Sequence, residues 1–482
     1  MKRGSIFELN GIPKFQEALP LALQHVVAMI VGCVTPAIIV AGAVGGDGLS
    51  AKDRVILIQA SLVVSALSKV TRLLCEICKE AEAQHVDKVN ELLADLRERH
   101  VSLAESLLSG GDGSRLEKCV ADMESVLDSL SEFAHGVCCI GELSPRSYAR
   151  IVSTGEILSS MIIAAAMNES GLATRWLDAR KMILTDCNYI SASPDLATTE
   201  ANVKRLVSEA SKGVSVIITP GFIASASDGA TSVLGFEGSD YSAAIFGMAL
   251  DASRVEIWTD VDGIRSADPR IVNDTVCIRN VSYDEASEMA FLGARVLHPL
   301  TIEPARKKNI PVYVLNSQNP SCKGSKVSVE KNCESAKTIT LKDDIDFLDI
   351  ISDKIVGVTA MMAAVFSAAE KAGVKIILSS VSESRVRVTM ETGQPGFEQM
   401  VAELRKRFTV MIYRDKAQFS IVGEKFLHSC PGLASRIEKV LPGSVYLVCM
   451  SPVQMSLSYV IDKEYAVDVV SHIHELMFPK ES

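Results

Sequence analysis

"LVVSALSKVTRLL" occupies residues 62–74, and its reading decides the fold of the chain. Its first half is apolar and rich in valine, like a buried strand. Its second half opens a charged, helical region. A strand running into a helix is the repeating unit of an α/β fold. The same residues also close a very apolar head, so a membrane segment ending here is the competing reading.

That head carries no fixed charge between Glu17 and Asp47, and His25 is the only basic side chain in that interval. "HVVAMIVGCVTPAIIVAGAVGG" (25–46) is long enough to cross a bilayer, which takes about 20 apolar residues. A buried core helix has the same composition. A secretory signal fits poorly, because the run is long and no small-residue cleavage site comes after it. Lys2, Arg3 and Lys14 precede it, which places the N-terminus in the cytoplasm if it inserts. The next apolar stretch, "VILIQASLVVSAL" (55–67), is too short for a second span.

The whole chain has 482 residues and a net charge of −10, enough for two to four domains. The acidic balance argues against nucleic acid as a partner. The 12 cysteines show no repeated metal spacing. Cys75 and Cys78 form a C-x-x-C inside a helical pattern without a second pair, which reads as ordinary thiols. Unpaired cysteines fit a reducing cytosol.

From Val63 onward, short apolar runs alternate with amphipathic ones. Strands are expected at 215–219, 254–261 and 311–316. Helices are expected at 71–110, 115–135, 145–168, 198–212, 239–251 and 283–293. The pattern predicts a three-layer α/β/α sandwich around a mainly parallel sheet.

Four stretches carry chemistry. In "LGFEGSDYSAAI" (234–245), glycines lead Gly238-Ser239-Asp240 into a helix. Free N–H groups and a positive dipole end suit phosphate or carboxylate there, although Ser or Asp also serves as a plain N-cap. In "EIWTDVDGIRSADPR" (256–270), Thr259 and Asp260 end a strand, where ligands of α/β sheets bind. Asp268-Pro269-Arg270 beyond is either a phosphate clamp or turn chemistry. In "STGEILSS" (153–160), Glu156 is a dipole partner or a seat for an ammonium group. In "FLGARVLHPLTIEPA" (291–305), Arg295 and His298 sit near a helix end.

In order and spacing, these motifs resemble the aspartate kinases of the amino acid kinase superfamily, together with "VVSALSKVTRLL", "WLDAR" (176–180), "TPGFIA" (219–224) and "GARVLHP". The resemblance runs from about Val63 to the C-terminus. It implies a kinase domain over 63–320, a linker at 321–342 and regulatory domains over 343–482. It implies transfer of the γ-phosphoryl group of ATP, with Mg²⁺, to the side-chain carboxylate of L-aspartate, the first step toward aspartate-derived amino acids. Glu156 would hold the substrate ammonium, and Ser65, Ala66 and Phe222 would line the substrate cleft. Gly238, Ser239 and Asp240 would face the transferred phosphoryl. Thr259, Asp260, Arg265, Asp268, Arg270 and Arg295 would hold the nucleotide. No protein-bound metal is implied.

The sequence departs from the family in places. Gly235-Phe236-Glu237-Gly238 stands where Gly-Arg-Gly-Gly is commonest, Arg265 where a tyrosine is usual and Arg295 where a lysine is usual. The family opens with a strand bearing Lys-Phe-Gly-Gly-Thr-Ser, whose lysine stabilises the transferring phosphoryl. No such run exists here. In its place stands the head, of which residues 11–68 resemble the start of a uracil/xanthine permease. The expectation is a kinase body that is severely crippled. A catalytically dead dimerisation protein and a permease fragment are the alternatives. Because ATP is cytosolic, a cytoplasmic kinase body requires that the head not export it.

Beyond the linker, two βαββ-like units of about 70 residues read as a duplication. They resemble the paired ACT domains of aspartate kinases, which bind amino acid inhibitors and pack into homodimers. Lysine or threonine would be the effector. The contacts look degenerate, with Ala360-Met361-Met362 replacing Gly-Phe-Leu and Ile377 replacing an aspartate.

Overall fold

The computed structural model describes residues 36–41, 59–67, 69–111, 113–235, 237–294, 297, 299–330, 335–352, 357–429, 432–451 and 454–479. The chain divides into two compact units. The first holds residues up to Gly263 and Leu300–Val329, and the second holds Ile264–Pro299 and Glu330 onward. Residues 264–299 thus belong with the C-terminal unit.

The first unit begins with β1 (Pro36–Ala41) and β2 (Gln59–Val64). Residues 36–41 are therefore a strand, not part of a 25–46 helix, and their Ile-Ile-Val core suits a strand. The rest of the proposed span lies outside the described residues. Three helices come next: α1 (Val70–Glu82), α2 (Val86–Leu107) and α3 (Ser114–Ile140). Val70, Leu73, Leu74, Ile77 and Ala81 bury one stripe of α1. The expected single helix over 71–110 breaks at Gln84, which has φ 60°. Gln84 Nε2 donates to the Cys138 carbonyl at 3.1 Å, so a contact with α3 holds the break.

Then come α4 (Pro145–Val152), α5 (Thr154–Glu169) and β3 (Thr174–Trp176). The expected helix over 145–168 is two helices that part at Ser153. The stretch Pro145–Glu169 is apolar and long enough to cross a membrane, yet 83% of its apolar window is buried, as in a core element. The unit continues with β4 (Leu184–Thr185), α6 (Leu196–Ala210), β5 (Val216–Pro220), β6 (Ile223–Ala226), β7 (Thr231–Val233), α7 (Gly238–Ala249) and β8 (Arg254–Thr259).

In the second unit's insertion, β9 (Asn280–Ser282) leads into α8 (Tyr283–Phe291). The chain then returns through α9 (Pro299–Lys307), β10 (Val312–Asn316) and β11 (Ser325–Ser328). Strand β11 lies within the expected linker, because Ser325 and Val327 alternate inward and are fully buried.

The main sheet of the first unit runs β3-β5-β2-β1-β8-β10-β11. Strands β3, β5 and β2 are mutually parallel, and β10 is parallel to β8. β1 is antiparallel to both β2 and β8. Those two flanking strands are therefore parallel to each other, and their carboxyl ends reach the same sheet edge.

The second unit carries β12 (Thr338–Ile351), α10 (Val358–Ala372), β13 (Leu378–Ser382), β14 (Arg385–Glu391) and α11 (Phe397–Arg405). The pattern recurs in β15 (Thr409–Val422), the short α12 (Phe426–Ser429), α13 (Leu433–Val440), β16 (Val445–Met450), β17 (Ser456–Asp462) and α14 (Lys463–Met477). All six strands form one antiparallel sheet, ordered β13-β14-β12-β15-β17-β16. Its order reads the same from either edge, with the first strands of the two repeats paired at the centre. Each repeat has its own core, one around Val365, Met400 and Leu404 and the other around Phe419, Ile437 and Val470.

Candidate active site

The site begins where β2 ends. Val64 of β2 is level with Pro220 of β5, and Ala37 of β1 bridges Val63 to Ile257 of β8. Ser65, Gly221 and Thr259 therefore emerge along one edge, the crevice in which α/β sheets bind ligands.

Helix α5 is fastened to this edge. Ser159 Oγ donates to the Ser65 carbonyl at 2.7 Å. A Cβ on Gly155 would lie 2.9 Å from Val70 Cγ1 and 3.0 Å from Ala66 Cβ, so only glycine permits this approach. The next residue, Glu156, is buried and accepts the Ala66 N–H, while its Oε2 has no partner. Burial pushes its carboxyl up to about 8. A buried, half-satisfied carboxyl is costly unless a cation completes it.

Opposite, the β5 loop meets the start of α7. Phe222 sits at φ 65°, a strained position for a bulky side chain. Its N–H donates to Ser242 Oγ at 2.9 Å, and Ser242 Oγ donates to the Gly238 carbonyl at 2.9 Å. A Cβ on Gly238 would lie 2.6 Å from the Phe222 ring, and one on Gly221 would lie 3.0 Å from Ser239 Cα. Ser239 and Asp240 lie inside the first turn of α7, not at its cap. The cap is Glu237, whose side chain makes no capping bond. The Gly238 N–H donates to the Gly235 carbonyl at 3.1 Å, so the N–H groups of Ser239 and Asp240 are the ones left for a ligand. Burial, then the nearby Glu237 charge, pushes Asp240 up to about 7.

At the end of β8, Thr259 Oγ1 donates to Asp260 at 3.2 Å, and Ser317 holds the Thr259 carbonyl through its N–H and its hydroxyl. Asn316 Nδ2 donates to Asp262 at 2.8 Å.

The first unit thus brings together Ser65, Ala66, Glu156, Phe222, Gly238, Ser239, Asp240, Thr259 and Asp260. Arg265, Asp268 and Arg270 belong to the second unit. There Arg270 makes a bidentate pair with Asp268 and is exposed, the geometry of the turn reading. Arg295 and His298 lie outside the described residues. Sequence reasoning missed Ser159, Gly221, Ser242 and Ser317, which position the others. Ser159 and Ser242 lie inside the chemistry-bearing motifs and Gly221 inside TPGFIA, but only the close approaches reveal their roles. Among the described residues no cluster of three or more His, Cys, Asp or Glu side chains could hold a metal. No described cysteine forms a disulfide; Cys75 shares a hydrogen bond with Tyr148, and burial pushes Cys78 up to about 12.

Residues 49–316 match the amino acid kinase family. The lysine-sensitive aspartokinase 3 of Escherichia coli is 30% identical over 367 residues, which cover 74% of the chain and 81% of that protein. The chain belongs to the aspartate kinases. Aspartokinase 3 of Arabidopsis thaliana, a chloroplastic protein, is 29% identical across 91% of the chain and 81% of its own length. A maize bifunctional aspartokinase/homoserine dehydrogenase is 31% identical across 72% of the chain, which spans only 38% of that longer protein. In three dimensions, E. coli aspartokinase III with aspartate and ADP aligns at a TM-score of 0.71, with 28% identity over 86% of the chain and 92% of its own. Its lysine- and aspartate-bound T-state aligns at 0.69 with 27% identity, over the same shares.

Proposed function

We propose that the chain binds ATP and L-aspartate along the edge formed by β2, β5 and β8. It transfers the γ-phosphoryl group to the aspartate side-chain carboxylate, giving 4-phospho-L-aspartate, far more slowly than its relatives. The observation that carries the acceptor is Glu156, a buried carboxyl with one unpartnered oxygen beside Ala66. A substrate ammonium supplies the missing partner. The E. coli relative with aspartate and ADP bound supports this reading.

A carboxylate acceptor is already a nucleophile, so the residues need only align it and neutralise charge. The uncapped N–H groups of α7, with Ser239, suit the transferred phosphoryl, and Thr259 and Asp260 suit the nucleotide. Among the described residues the acidic donors are too few to cage Mg²⁺ alone but fit an ion carried by the nucleotide phosphates, where it would offset phosphate charge.

The slow rate follows from β1. It holds the place between β2 and β8, but it reads PAIIVA, contains no lysine and runs antiparallel to both. It therefore brings its amino end, Pro36, to the site edge. This supports the reading that a permease-like head replaces the lysine-bearing strand. Loss of one group stabilising the transition state costs roughly a hundred- to a thousandfold in turnover. Hydroxylamine trapping of the acyl phosphate, with the purified chain, ATP and aspartate, tests this. The expected kcat is at least about a hundredfold below that of the E. coli relative. A value within tenfold overturns the impairment. Absence of any ADP or aspartate binding by calorimetry overturns the kinase reading and favours a dimerisation role.

The duplicated second unit, we propose, forms homodimers and senses an amino acid, lysine before threonine, in the cytosol. The lysine-bound E. coli relative supports the first choice. Met361 is fully buried in the repeat core and so is not available as an effector contact. Calorimetric titration with each amino acid decides it, and heat from neither ends the idea.

A further inference from the structure

A cavity of about 700 Å³ opens in the first unit between α3, α4 and the start of α5, away from the kinase cleft. None of Ser65, Ala66, Glu156, Ser239 or Asp240 lines it. Three guanidinium groups do: Arg146, Arg150 and Arg180. Asp178 pairs with Arg180 at 2.7 Å and Asp228 with Arg146 at 3.6 Å. Arg150 pairs with no carboxylate among the described residues. It lies over the Phe133 ring at 4.5 Å and reaches Ser129 Oγ at only 3.4 Å. Three cations against two carboxylates leave the cavity with a net positive charge. Its size is that of a small-molecule site.

We propose that this cavity binds a small organic anion, with a phosphate or carboxylate head on Arg150 and an apolar body against Phe133. Guanidinium matches both heads through paired N–H donors, and the Phe133 face pre-orders the Arg150 side chain. The Ser129 hydroxyl adds a donor. Thr154 begins the turn of α5 that carries Glu156, so an anion seated here also bears on the helix that forms the kinase cleft. The binding itself does not depend on the kinase reading.

The test is calorimetric titration of the full chain with inorganic phosphate and, separately, with succinate, in chloride at matched ionic strength. Saturable binding of at least one probe is expected; which one binds identifies the head group. Arg150→Gln should weaken it at least tenfold, and Arg146→Gln should weaken it less, because Arg146 already has Asp228. Asp240→Asn, at the kinase cleft, should leave it unchanged. Both arginines are exposed, so the variants should melt like the parent without probe. The proposal is overturned if neither probe binds above the chloride background. It is equally overturned if Asp240→Asn abolishes binding while Arg150→Gln spares it, since the anion then sits at the kinase cleft. A change in sedimentation mass on Arg150→Gln would make the cavity a protein interface and also overturn it.

Discussion

Glu156→Gln isolates the energetic cost of the buried carboxyl. The unfolded chain loses this proton near the ordinary value of 4.5, whereas the folded chain keeps it to about 8. Between those values the unfolded state binds fewer protons, so stability falls as pH rises and levels off above about 8. Each pH unit in that window costs about 1.4 kcal/mol, on the order of 5 kcal/mol across it. Glutamine carries no titrating proton in either state, and its side-chain oxygen can still accept the Ala66 N–H. The variant should therefore match the parent near pH 5 and exceed it by several kcal/mol near pH 8.5. Asp240 has the same sign, but it is present in both proteins and cancels in the difference. Urea unfolding monitored by tryptophan fluorescence reads the right unit, because both tryptophans, Trp176 and Trp258, belong to it. Parallel stability curves from pH 5 to 8.5 would refute the reasoning. On the proposed function, aspartate binding at pH 7 should also expel the Glu156 proton. Calorimetry in buffers of different ionisation enthalpy should detect that proton with the parent and not with the variant.

Close packing sets three further outcomes. Gly155→Ala pushes a methyl within 2.9–3.2 Å of Val70, Ala66 and Leu74, and should cost about 1–3 kcal/mol in the same fluorescence assay. Gly221→Ala meets Val63 at 2.8 Å and the Ser239 backbone at 3.0 Å; it should raise the KM for phosphate donor more than it lowers the melting temperature. In the second unit, Ser266→Ala strips partners from His474 Nε2 at 2.8 Å and from the Val276 N–H at 2.9 Å. A cost of about 1–3 kcal/mol should appear in circular dichroism melting while the tryptophan transition stays put; coincident shifts would count against it.

Where hydrophobic period and motif order coincide, the sequence was legible. The βαββ duplication emerges as a sheet whose order is symmetric about β12 and β15, because each repeat carries its own strands and core. The strand leading to Ser65-Ala66 and the helix that begins at Gly238-Ser239-Asp240 came through equally well, although the strand itself stops at Val64. Breaks made by tertiary contact did not. Nothing in Ala83-Gln84-His85 resembles a helix stop, since no glycine or proline is present, and the contact that fixes Gln84 comes from Cys138, 54 residues away. The linker reading failed at β11 because Ser-Lys-Val-Ser looks polar until alternate residues are seen to turn inward. Residues 36–41 misled in another way. Their apolar composition fits a span, a core helix or a central strand, and only pairing with β2 and β8 separates them.

That pairing shows why fold and activity can part company on the proposed reading. A sheet needs something between β2 and β8 to satisfy their facing backbone groups, since unpaired buried N–H and C=O groups are costly. An apolar, β-branched segment meets that need in either direction, and PAIIVA does so with a continuous six-residue register to β2. Phosphoryl transfer asks more. On the proposed reading it needs a strand whose carboxyl end, with a cation and a glycine turn, arrives at the edge shared by Ser65 and Thr259. An antiparallel strand delivers its amino end there instead. The packing that holds Glu156, Phe222 and Ser239 in place does not require a lysine on the central strand, because their fastenings run through Ser159, Ser242 and Gly221. On that reading, ligand binding and turnover should separate in this chain, with aspartate still seated at Glu156 while β1 brings no lysine to the transferring phosphoryl group.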